Sequence, residues 1–297
     1  MILIPPFLSK GDSVAIIATA RKISKEEIQP AIDFLNNKGL SVELGPNLFN
    51  EYYQFSGTDQ QRHDDLQWAL NHNTAKAIIV ARGGYGTVRA IENIDFSPFK
   101  NKPKWLVGYS DITTLHSAIH NIGIATLHAT MPINFTKNEE ATQSLIDSLF
   151  GTPNTIRAAS HPLNKQGNAK AEIVGGNLSL LYAHCGTPLD INTTGKILFI
   201  EDLDEYLYHI DRMMMQLKLS GKLSNLKGLI VGGMSDMKDN AVPFGKTAEE
   251  IISDLVSEYN YPVCFNFPAG HIDRNLALYF GKEALLSVSE TKTQLSF

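Results

Sequence analysis

Residues Lys104–Thr114 read K-W-L-V-G-Y-S-D-I-T-T, and the fold is decided there. The apolar run 105–107 has the composition of a strand buried on both faces. Gly108 ends it, Ser110 falls at a sharp turn, and Asp111 opens a helix expected to run toward His120. A strand, turn and helix in this order push the serine hydroxyl out at the carboxyl edge of a sheet, where open α/β folds bind ligands. Backbone N–H groups at the positive end of the helix point the same way. Two readings fit. Ser110 and Asp111 can be a helix cap, or Ser110 can be a nucleophile presented as in the elbow of serine hydrolases. The match to G-x-S-x-G is partial, because Ile112 stands where the second glycine would be.

Outward from this stretch, apolar runs and amphipathic segments alternate. Residues 13–18 (S-V-A-I-I-A), 41–44, 77–81, 105–107 and 124–127 are expected strands. Residues 26–37, with Ile28, Ile32, Phe34 and Leu35 at helical spacing, and 59–70 are expected helices. In the second helix Leu66 and Leu70 should face inward, and Arg62, Asp64 and Asp65 outward. Strands alternating with helices at this pace predict a parallel, Rossmann- or flavodoxin-like sheet covered on both faces. Between 151 and 170 the chain turns polar, with Pro153, Asn154, Pro162, Asn164 and Gly167, and is expected to be a linker. Beyond it the strands at 172–174, 197–200, 228–231, 263–265, 277–280 and 284–288 have a different rhythm. The expected organisation is an α/β domain over 1–150, a linker over 151–170, and a smaller α+β domain with a mixed sheet over 171–297.

Composition bounds the function. The chain has 297 residues, with a formal net charge of -5, 43% hydrophobic and 19% charged residues. A mildly acidic surface argues against nucleic acid and anionic membrane as partners. Its two cysteines, Cys185 and Cys264, have no C-x-x-C spacing, which suits a reducing compartment and a cytoplasmic location. The start, M-I-L-I-P-P-F-L-S-K, lacks a basic leader and is expected to be an ordered edge segment.

A nucleophilic serine needs a base, a group to orient the base, and donors for the oxyanion. The donors are expected from the Gly84 N–H, in the R-G-G-Y-G loop 82–86, and the Asp111 N–H. The same loop also fits a phosphate cradle or a tight βα turn, although neither nucleotide-binding glycine motif is present. Among nine histidines, His271 is the best-placed base, in F-P-A-G-H just past an expected strand. His116 and His120 have the i, i+4 spacing of a metal pair but no accompanying H-E-x-x-H. His128 follows a strand of the same sheet and is expected to line the pocket. Glu201, directly after the run K-I-L-F-I, is the candidate orienting carboxylate, with Asp202, Asp204 and Glu205 as alternatives.

Taken together, W-L-V-G-Y-S-D-I-T-T, A-R-G-G-Y-G, F-S-G-T-D-Q-Q-R, V-G-G-N-L, I-L-F-I-E-D and the A-G-H turn resemble the serine LD-carboxypeptidases, which include the muramoyl-tetrapeptide carboxypeptidases of murein recycling. The resemblance spans nearly the whole chain. It implies a nucleophile at Ser110, an acidic triad member at Glu201, a base at His271 and oxyanion donors at Gly84 and Asp111. It also implies a homodimer and a muropeptide substrate ending in diaminopimelate–D-Ala, cleaved without a metal or organic cofactor. This chain departs from the family at residues 18–21, which lack the usual Pro-Ser run, and at Ala129-Thr130, where Gly-Pro often follows the histidine. A carboxypeptidase must hold a terminal carboxylate; Arg82, Arg89 and Asn177 are candidates, with Tyr85 beside them in the glycine loop. A triad drawn from both domains predicts a cleft between them. Two other readings stand beside this one: a related serine hydrolase, such as one that inactivates peptide-nucleotide antibiotics, and a non-catalytic two-domain ligand-binding protein.

Overall fold

A computed structural model describes residues 2–153 and 155–297. Among these are strands β1 (Ser13–Ile17), β2 (Ser41–Leu44), β3 (Ala75–Val80), β4 (Trp105–Gly108), β5 (Thr126–His128), β6 (Thr155–Ala159), β7 (Gly167–Asn177), β8 (Ile197–Leu203), β9 (Gly228–Ser235), β10 (Val263–Cys264), β11 (Leu278–Phe280), β12 (Glu283–Val288) and β13 (Lys292–Ser296). The chain forms two compact units. The first runs to Pro153 and takes back Leu276–Tyr279; the second holds the rest.

In the first unit the sheet order is β11-β5-β4-β3-β1-β2. The pairings β1–β2, β1–β3, β3–β4 and β4–β5 are all parallel, giving the 2-1-3-4-5 order of flavodoxin-like sheets. Strand β1 is buried throughout, as its unbroken apolar run requires. Helices Lys25–Asn37 and Asp59–Asn71 each begin with a capping box, Ser24 with Glu27 and Thr58 with Gln61, which satisfies two otherwise orphaned N–H groups apiece. Trp105 is fully buried, stacked on Phe7 at 5.8 Å and beside Tyr279 at 5.3 Å.

The helix Asp59–Asn71 departs from its expected polarity. Arg62 and Asp65 are buried, and only Asp64 faces out. Each buried charge has local partners, the condition on which burial is tolerated. Arg62 donates to the Gly57 carbonyl at 2.6 Å, pairs with Asp59, and lies 4.7 Å from the centre of the Phe55 ring. Asp65 accepts from the backbone and side chain of Asn47 at 2.9–3.1 Å.

The second unit holds a seven-stranded mixed sheet, β10-β9-β8-β7-β12-β13-β6. Strands β7 to β10 pair parallel, and β12, β13 and β6 continue antiparallel from β7. The stretch 151–170 is therefore not an irregular linker: β6 and the start of β7 lie in it. Pro162 and Asn164 occupy the turn between those strands, Pro153 precedes β6 and Asn154 lies outside the described residues; β6 is the last strand of the sheet, where a continuous apolar run is not required. The sequence also gave no sign that Leu276–Tyr279 returns to the first unit. There the Ala277 N–H donates to Ser144 Oγ at 3.0 Å and the Tyr279 hydroxyl to the Ser148 carbonyl at 2.6 Å. No helix among the described residues is long and apolar enough to cross a membrane.

Arg62→Ala should destabilise the protein by about 2–4 kcal/mol, because it strands the Gly57 carbonyl and leaves a void under Phe55. Urea denaturation followed by circular dichroism measures this, and a change under 0.5 kcal/mol would mean that Arg62 is merely tolerated inside.

Candidate active site

In the first unit the loops after β1, β3, β4 and β5 share the carboxyl edge of a parallel sheet. Ser110 opens a short 3-10 turn, Ser110–Ile112, which runs into the helix Thr113–Asn121. Its φ is +68°, a left-handed conformation that costs a non-glycine residue about 1–2 kcal/mol. A helix cap needs no such backbone; a sharp elbow does. Gly108 makes the bend possible, since a Cβ there would lie 2.9 Å from Ile112 Cγ1.

The glycine loop lies directly against this turn. A Cβ on Gly83 would stand 3.0 Å from Ser110 Cβ and 3.1 Å from its Oγ. Gly84 has φ +124°, and a Cβ there would meet Arg21 Cγ at 2.5 Å and Cδ at 2.7 Å. The buried Asp111 carboxylate ties the two loops together by accepting from the Thr87 N–H at 2.8 Å. Burial pushes its pKa up, and the hydrogen bonds of Thr87 oppose that. His128 is buried and pairs in register with Gly108, its ring 6.0 Å from that of Tyr109. Tyr85 is exposed and hydrogen-bonds Arg89. Arg82 donates to the Lys22 carbonyl at 3.3 Å and faces Glu27 at 3.6 Å, and Arg89 pairs with Asp59 at 3.2 Å. Of the i, i+4 histidines, His116 is satisfied within the sheet, its ring nitrogens meeting Thr126 Oγ1 at 2.8 Å and the Gly108 carbonyl at 2.9 Å. Burial lowers its pKa to about 4, so it is neutral.

In the second unit Glu201 and His271 are paired. Glu201 Oε2 meets His271 Nδ1 at 2.6 Å and accepts from the His271 backbone N–H at 3.0 Å. Glu201 is fully buried. It lies within β8, where the register against β9 shifts between Ile200 and Asp202, rather than after the strand as expected. Irregularities of this kind re-aim a side chain. Gly270, at φ +104°, lets the carboxylate approach: a Cβ there would fall 2.7 Å from Glu201 Cβ and Cγ and 2.8 Å from Oε2. The His271 turn is pinned by the Gly270 N–H to Asn275 Oδ1 at 2.8 Å and by Ser235 Oγ to the His271 carbonyl at 2.7 Å. Burial alone would depress the imidazole pKa. The Glu201 charge, its hydrogen bond and the Asp202 charge outweigh this and raise it above the ordinary 6.5.

Asp202, an alternative to Glu201 in the sequence, has another part. It accepts from Asn177 Nδ2, the Ser179 N–H and the Leu203 N–H at 2.8–2.9 Å. Burial, then the charge of Glu201, pushes its carboxyl up to about 7. Asn177 is thereby engaged at both ends of its amide, since its Oδ1 accepts from Ser179 Oγ at 2.6 Å and caps the helix Leu178–His184. Asp204 and Glu205 face Lys238 and His209.

The sequence profile of the LD-carboxypeptidase N-terminal domain matches residues 14–129, and that of the LD-carboxypeptidase C-terminal domain matches residues 170–286. Fold and matched domains define a peptidase, and the protein is an enzyme of the carboxypeptidase type. A probable murein peptide carboxypeptidase of Bacillus subtilis (strain 168) is 38% identical over 297 residues, 96% of this chain and 92% of that one. The chain belongs to the LD-carboxypeptidase family. A muramoyltetrapeptide carboxypeptidase from Oxalobacter formigenes has a crystal structure that superposes with a TM-score of 0.88 at 27% identity, covering 96% of this chain and 98% of that one. The microcin C7 self immunity protein MccF shares the fold, with a TM-score of 0.86 at 18% identity over 100% of this chain and 98% of that one.

Glu201→Gln keeps the size of the side chain and removes its charge, so burial is left less opposed. The His271 pKa should fall below its wild-type value, read by NMR titration of the imidazole. An unmoved pKa would remove Glu201 as the electrostatic partner. Gly270→Ala should lower the same pKa by pushing the carboxylate away, in a protein that still folds.

Proposed function

We propose that the protein hydrolyses the amide between an L-centre, diaminopimelate or lysine, and a terminal D-alanine of muropeptide tetrapeptides, in the recycling of peptidoglycan. The observation that carries this reading is the fully buried Glu201 holding His271 Nδ1 at 2.6 Å. A carboxylate on Nδ1 fixes the proton there and makes Nε2 the basic atom of the ring. The strained Ser110 supplies the hydroxyl that such a base serves. The murein substrates named for the Bacillus subtilis relative and for a murein tetrapeptide carboxypeptidase of Pseudomonas aeruginosa, 27% identical over 92% of this chain, support the choice of peptide.

The reaction proceeds in two halves. Ser110 Oγ attacks the carbonyl carbon of the L-residue while His271 Nε2 takes the hydroxyl proton. The resulting oxyanion is held by the Gly84 and Asp111 N–H groups, a stabilisation worth about 3–4 kcal/mol per donor in other hydrolases. His271 passes the proton to the departing amine, and D-alanine leaves. Water, deprotonated by the same imidazole, then cleaves the acyl-enzyme and restores Ser110. Glu201 keeps the imidazole oriented and balances its charge in each half.

Ser110→Ala and His271→Ala should each lower kcat by roughly 10⁴-fold or more; Ser110→Ala should change Tm little, whereas His271→Ala should also lower Tm because it strands the buried Glu201 carboxylate. The assay is release of D-alanine from L-Ala-D-Glu-meso-diaminopimelate-D-Ala. A Ser110→Ala enzyme at near-normal rates would end the reading, and cleavage of a peptidyl nucleotide in place of the tetrapeptide would favour the antibiotic-inactivating alternative. Because the base must be neutral, and its pKa is raised, kcat/KM should fall with acid through a midpoint above 6.5. A flat profile down to pH 5 would exclude His271.

A further inference from the structure

The arginines flagged in the sequence as carboxylate binders, Arg82 and Arg89, are held by Glu27 and the Lys22 carbonyl and by Asp59 and Tyr85. A third arginine is in a different position. Arg21 lies in the loop after β1. Its backbone N–H donates to the Gly83 carbonyl at 3.4 Å. Its aliphatic stem crosses Gly84 so closely that a Cβ on that glycine would be 2.5 Å from Arg21 Cγ. Arg21 is exposed, and its guanidinium makes no ion pair or hydrogen bond with any described residue.

The stem therefore runs over the glycine loop that abuts Ser110, and the charged head extends one to three bonds beyond Cδ. In a substrate that loses a single residue, the terminal carboxylate lies about one Cα–Cα step, roughly 3.8 Å, from the scissile amide. A cation anchored over the oxyanion loop is at the right range for that carboxylate. The substrate's other carboxylates, on the diaminopimelate side chain and on D-Glu, lie on the acyl side of the scissile bond, so only the terminal one lies on the leaving-group side. The guanidinium is also the group best suited to the task, since its planar fork matches a carboxylate bidentately.

We propose that Arg21 binds the C-terminal carboxylate of the substrate and so makes the enzyme an exopeptidase. This rests on the reading of Ser110 as nucleophile. The pair of substrates that tests it is the tetrapeptide with a free terminal acid and the same peptide with a terminal carboxamide. Wild-type enzyme should prefer the acid in kcat/KM by about 10–100-fold, the range of a hydrogen-bonded charge. Arg21→Met should collapse that preference to within about threefold, chiefly through KM for the acid, and Arg21→Lys should keep part of it. An Arg21→Met enzyme that keeps the full preference for the acid overturns the proposal, as does a wild-type enzyme with no preference. A wild-type enzyme that cleaves neither peptide instead overturns the muropeptide reading, and this proposal falls with it.

Discussion

The contact between the Glu201 carboxylate and the His271 ring organises the second unit. A carboxylate with no solvent access is expensive: the effective penalty is several kcal/mol per ion even after relaxation. Here it is offset by a charge-assisted bond to the imidazole and a second bond from the backbone N–H of the same residue. Both partners arrive on one turn, so the turn cannot move without exposing or stranding the charge. Gly270 has no side chain because the glutamate stem occupies that space. The Asp202 clasp onto Asn177 and Ser179 fixes the strand end from the other side. A buried charge thus sets the geometry of two strand ends and a loop.

The first unit meets a different constraint, backbone strain. A serine at φ +68° persists only where its surroundings over-determine it. Strand β4 is fully buried and hydrogen-bonded between β3 and β5, so the chain enters the turn on a fixed line. The Asp111 carboxylate then holds the exit of the turn to Thr87, just past the glycine loop. Rigid sheet, strained corner and glycine-lined loop form one piece, which suits the proposed nucleophile and donors, groups that must keep their places during reaction.

Much of this was legible in the sequence where periodicity speaks. The buried strands of the parallel sheet announce themselves as unbroken apolar runs, and W-L-V-G-Y-S-D announces a sharp exit. Other features carry no local signal. The burial of Arg62 depends on Phe55 and Gly57, and a charge on a helix ordinarily reads as solvated. Strand β6, T-I-R-A-A, alternates too weakly to stand out beside the prolines around it. That Glu201 sits inside its strand, and that Asp202 serves another purpose, follows from a shift of register against β9, which depends on a partner strand distant in sequence. Arg21 carries no local signal for the same reason: only the packing of its stem on Gly84, sixty-three residues away by numbering, distinguishes it from other surface arginines.

The return of Leu276–Tyr279 to the first sheet gives the chain three crossings between its units instead of one. Neither half is a self-contained cassette. Cutting after Pro153 would strip β11 from the flavodoxin-like sheet and take with it the segment that meets Ser144, Ser148 and Trp105. A gene fragment encoding either half would be incomplete, so recombination cannot trade one half for another as it trades beads on a string. The histidine turn, five residues upstream of that return, is inherited together with the sheet that carries Ser110.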